Sequence, residues 1–102
     1  MVSINEERSA ANKAKGVISV LTRSTRHTGS ELAIVVLRSA FRIATNAILD
    51  LSGQQSLDNT RGEAGAALLG LSHALENGSI TQEIIDRAKY AVEAWLGRLA
   101  ET

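Results

Sequence analysis

A capping box sets Ser or Thr three residues before Glu or Gln, so that each side chain satisfies a free backbone N–H of the other where a helix begins. This chain carries the pattern at four spaced places: Ser3 with Glu6, Thr28 with Glu31, Thr60 with Glu63, and Ser79 with Gln82. Apolar residues at helical spacing follow each box, so the pattern predicts four helices, each cap contributing roughly 1 kcal/mol. The stops match the starts. Ser52-Gly53 and Asn77-Gly78 place glycine where a helix closes in a left-handed turn, and Thr22-Arg23-Ser24-Thr25 favours a turn over a helix interior. Helices are therefore expected at about 4–22, 29–52, 61–76 and 80–100. Short connections make consecutive helices antiparallel neighbours, which predicts an all-α, up-down four-helix bundle in a single domain over 1–102. The absence of proline lets each helix run uninterrupted.

The helix faces differ. Helix 4 carries an ordinary stripe of Ile84, Ile85, Ala88, Val92, Trp95, Leu96 and Leu99, and helix 1 a thinner one of Ile4, Ala11, Ala14, Ile18 and Leu21. Helix 2 confines its polar residues, Arg38, Arg42, Thr45 and Asn46 among them, to about 140° of arc, leaving an apolar arc twice the usual width. It needs cover from two directions. Helix 3 has a core stripe of Ala64, Leu68, Leu71 and Leu75, and a second stripe of small residues at Gly62, Ala66, Gly70 and Ala74. A small-residue face lets another helix approach closely. Two doubly apolar helices in one short chain predict a homodimer with helices 2 and 3 at its interface.

Composition narrows the chemistry. The 11 Lys+Arg balance 11 Asp+Glu, which argues against an indiscriminate polyanion binder. That balance hides a dipole: residues 1–50 hold seven bases and four acids, and residues 51–102 four bases and seven acids. Cysteine is absent, so disulfides, thiolate metal sites and thiol nucleophiles are excluded. The longest purely apolar run, 32–37, is far short of the ~20 residues of a membrane span. The acidic start does not read as a secretory signal, and the expectation is a cytoplasmic domain without membrane association.

Catalytic constellations do not assemble in the sequence. His27 precedes helix 2 and His73 lies on helix 3, neither with a second ligand at metal spacing apart from Glu76. Glu6-Glu7 and Glu83 with Asp86 read as solvated helix faces. No phosphate-cradling glycine motif occurs. The segment 71–76, Leu-Ser-His-Ala-Leu-Glu, resembles part of a histidine phosphotransfer bundle, but that family's phospho-accepting histidine lies on an earlier helix and is followed closely by Lys-Gly. Here helix 2 has no histidine and His73 is followed by Ala-Leu-Glu-Asn. The chain is read as non-catalytic, with no metal and no cofactor.

One segment could hold an anion. Arg23, Arg26, His27, Thr28 and Ser30 surround the start of helix 2, where free N–H groups and the helix dipole favour negative charge. Arg38 and Arg42 add positive charge on the same helix, although ion pairs to Glu63, Asp86 or Glu93 are their expected use. The functional expectation is a helical interaction or regulatory protein of adaptor type, homodimeric and binding an unidentified protein partner. The alternative is a nucleic-acid-associated protein that grips phosphates through the basic segment before helix 2.

Overall fold

The computed structural model describes residues 2–23, 30–49 and 55–101. They form four helices: α1 (Ile4–Arg23), α2 (Ser30–Leu49), α3 (Gln55–Asn77) and α4 (Gln82–Ala100). Each helix packs on its neighbour in chain order, and α1 closes the ring against α4. Side-chain contacts give the directions. Arg8, near the start of α1, donates to the carbonyl of Leu99 at the end of α4. Arg38 in α2 pairs with Glu76 near the end of α3. The result is a four-helix bundle of 40 × 20 × 18 Å.

Two helix ends form as their residues predict. The Glu6 N–H donates to Ser3 Oγ at 3.1 Å, capping α1. At the other end of α3, Gly78 adopts φ +65° and the Ser79 N–H donates to the Ala74 carbonyl at 2.9 Å, a six-residue closure that uses glycine's freedom at positive φ. Thr28 of the Thr28/Glu31 box and the Ser52-Gly53 stop lie outside the described residues.

The other two starts move. The cap of α4 is Thr81, whose side chain accepts from the Ile84 N–H at 3.3 Å, two residues beyond the expected Ser79. Helix α3 begins at Gln55, so Thr60 and Glu63 lie inside it and do not cap it. The reason is packing. Leu57 is buried in the core, seven residues before Ala64 and on the same face, and that burial carries the helix back past the local cap signal.

The core is built from one stripe per helix at alternating spacings of three and four. Ala11, Ala14, Ile18 and Leu21 come from α1, and Leu37, Ala40, Ala44 and Ala47 from α2. Helix α3 contributes Leu57, Ala64, Leu68, Leu71 and Leu75; α4 contributes Ile85, Ala88, Val92, Trp95 and Leu99. That spacing is the one at which antiparallel helices interlock along their length. Ile4, expected in the α1 stripe, is exposed.

The wide apolar arc of α2 finds two-sided cover within the chain. Its half-buried Val36 and Ile43 border α1, while Phe41 lies over α3. A Cβ built on Gly65 would stand 3.4 Å from the Phe41 ring. The apolar side chains of α2 still left in solvent are Leu32 and Leu49, each 70% exposed, and Val35 at 63%. By length and composition Glu31–Leu49 could cross a membrane, although no unbroken apolar run shows it, and only 22% of it is buried.

Candidate interaction surfaces

A buried charge cluster was not expected from the sequence. Glu7 is 1% exposed and Arg61 4%, so the Glu6-Glu7 pair is not a solvated face: Glu6 points outward and Glu7 inward. Arg61 Nε donates to Glu7 Oε1 at 2.6 Å and Nη2 to Oε2 at 3.1 Å. Its Nη1 donates to Asp58 Oδ1 at 2.8 Å, one turn earlier on α3. Burial by itself would lower the guanidinium pKa, but the hydrogen bonds to Glu7 and Asp58 outweigh it and hold Arg61 above its ordinary value. The signal was present in the spacing. Glu7 stands four residues before Ala11 and Arg61 three before Ala64, which puts both on core stripes.

This cluster has the character of a structural layer. Each carboxylate oxygen of Glu7 accepts from one arm of a single guanidinium, which leaves little for a ligand to bind. Among the described residues no three of His, Asp and Glu gather as a metal would require. His73 lies exposed on α3.

The expected anion site falls largely outside the described residues. Arg23 is the last residue of α1 and Ser30 the first of α2, while Arg26, His27 and Thr28 lie outside the described residues. Arg38 pairs with Glu76, not with Glu63, Asp86 or Glu93, because the antiparallel run of α2 and α3 sets the start of one beside the end of the other.

The small-residue stripe does not form one continuous face. Gly62, Ala66 and Gly70 are exposed, whereas Ala74 is buried. A four-residue spacing advances about 40° per step around a helix, so three steps turn the stripe out of solvent and into the core. Ala66 and Gly70 line a cleft of about 1030 Å³ between α3 and α4. Within the chain, this part of the stripe looks toward α4.

A second groove, about 520 Å³, runs between α1 and α2 and is lined by Glu6, Ala10 and Lys13 on one side and Val35, Val36 and Ile43 on the other. Val20, 62% exposed, lies seven residues after Lys13 and so on the same side of α1. Val20 lies beyond the groove's lining, which on α2 includes Val35, 63% exposed, with Leu32 exposed one turn before it. Leu32 and Val35 therefore stand in solvent on the groove side of α2. The two surfaces lie on different helix pairs.

Searches against protein-family models, curated proteins and solved structures return no match for this chain.

Proposed function

We propose that the protein is a non-catalytic helical interaction protein, regulatory or adaptor-like, that works as a homodimer through the outer face of α1 and α2. One observation carries this reading: Val35, 63% exposed, lines the α1/α2 groove, and Leu32, 70% exposed, stands one turn before it on the same side of α2. Isolated exposed apolar residues are ordinary, but a cluster continuous with the half-buried Val36 and Ile43 is what an interface core requires. A two-fold axis beside α2 would set this patch against itself, which buries it without any partner of different sequence. A bilayer would cover the same helix less well. Arg38 and Arg42 fall in the middle of the span, where each costs about 2.5–3.5 kcal/mol in a membrane, and Arg38 is paired with Glu76.

Sedimentation velocity on the full chain at micromolar concentration tests the proposal. A dimer is expected, reduced to monomer by Leu32→Ser with Val35→Ser while the helical circular dichroism is unchanged. A monomeric parent chain at that concentration overturns it.

A further inference from the structure

The cleft between α3 and α4 differs in chemistry from the patch on α1 and α2. Its floor is made of very small residues, Ala66 and Gly70 on α3 and Ala91 on α4. A Cβ built on Gly70 would meet nothing within 4 Å, so this surface is lower than the fold itself requires. Ile84 adds a half-buried aliphatic wall, and Tyr90 stands beside it 77% exposed. Glu63, Glu83 and Asp86 form the rim against a single base, Arg87.

Size and charge together select an occupant. The lining spans positions 63–70 on α3 and 82–91 on α4, so it is at least two helical turns long, about 10 Å. Two turns is the reach of anchors at i, i+3 or i+4, and i+7 on an amphipathic helix lying in a groove. A glycine and alanine floor admits such a helix at close range. Three acids against one base favour a partner whose flanks are cationic, and that complementarity raises encounter rate and orients the helix. An isologous contact through this cleft would set the acidic rims against each other, which argues against a second copy of the chain here.

We propose that the α3/α4 cleft is the docking site for a cationic amphipathic helix of another protein. This rests on reading the chain as an interaction protein, and it names the chemistry of the partner. The α1/α2 patch then joins two copies, and each copy presents one acidic cleft.

The test uses the full, isotope-labelled chain and a peptide of about 14 residues with Leu on one face and Lys on the other. A counterpart with Glu in place of Lys serves as comparison. Amide shifts confined to 63–70 and 82–91 are expected with the Lys peptide only. Reversing Glu83→Lys and Asp86→Lys should weaken binding about tenfold, and Arg87→Glu should strengthen it. Equal binding of the Glu peptide overturns the proposal, as do shifts centred on Leu32 and Val35 or the absence of binding by either peptide. Loss of self-association in the Glu83→Lys, Asp86→Lys variant also overturns it, because the cleft would then hold a second copy. Repeating the titration on Leu32→Ser, Val35→Ser separates the two readings: failure of the dimer leaves cleft binding measurable, and failure of cleft binding leaves the dimer measurable.

Discussion

Arg61 grips both carboxylate oxygens of Glu7 from across the bundle core, joining α1 to α3 through 2.6 and 3.1 Å hydrogen bonds where both side chains are almost wholly out of water. A bidentate fork of this kind has one good geometry, so it specifies how far α1 slides along α3. A purely apolar stripe of Leu and Ala is less demanding, because a slip of one heptad still buries apolar against apolar.

Removing one member strands the other. Arg61→Met leaves Glu7 buried without its cation and should cost about 3–5 kcal/mol in urea denaturation. Combining it with Glu7→Leu should recover most of that loss, since Asp58 keeps access to water and the layer becomes apolar. A single variant within about 1 kcal/mol of the parent would show that the pair contributes little.

The same geometry sets a direction with pH. Arg61 is held above its already high ordinary pKa, so its contribution is complete below the unfolded value and is lost only as pH rises through the folded one. The stability gap between the parent and Arg61→Met should therefore not narrow through loss of the Arg61 charge on going from neutrality to about pH 10. Denaturation midpoints of the two proteins at both pH values provide the measurement.

Leu57 tests the early start of α3. Were 55–60 a loop, Leu57→Ala would matter little. Because Leu57 is 3% exposed within the core, truncation should cost about 2–5 kcal/mol. Protection of the 59–62 amides against hydrogen exchange should fall in the same variant, because the first turn loses its anchor.

The glycines should separate by conformation. Gly62→Ala and Gly70→Ala fill open space in a helix, and each should stabilise the chain by up to about 1 kcal/mol. Gly78→Ala should destabilise by about 1 kcal/mol, since φ +65° crowds a Cβ. Thermal melts of the three variants decide the signs.

Helix number, helix type and most of the core were legible in the sequence. The Ser3 cap, the Asn77-Gly78 stop and the stripe of Ala64, Leu68, Leu71 and Leu75 are local or periodic signals, and a helix obeys those wherever packing does not oppose them. Elsewhere the local signal lost: Leu57 drew α3 back through Thr60, and the α4 cap passed from Ser79, whose N–H closes α3, to Thr81. Of the candidate sites, the stripe at Gly62, Ala66 and Gly70 was visible as small residues. Its neighbour was not, because spacing within one helix does not say which helix lies alongside.

The Glu7–Arg61 pair marks the boundary most sharply. The two residues are 54 apart in the chain, and although each stands at core spacing, nothing local to either says that the other lies opposite it. The sequence by itself determined four amphipathic helices and the order in which they turn back on one another, since those follow from periodicity and short connections. Tertiary structure alone decided which buried charges meet, which apolar side chains stay out, and where two helices part into a cleft. Those outcomes depend on how four stripes of unequal width share one core, and that is a property of the assembled bundle.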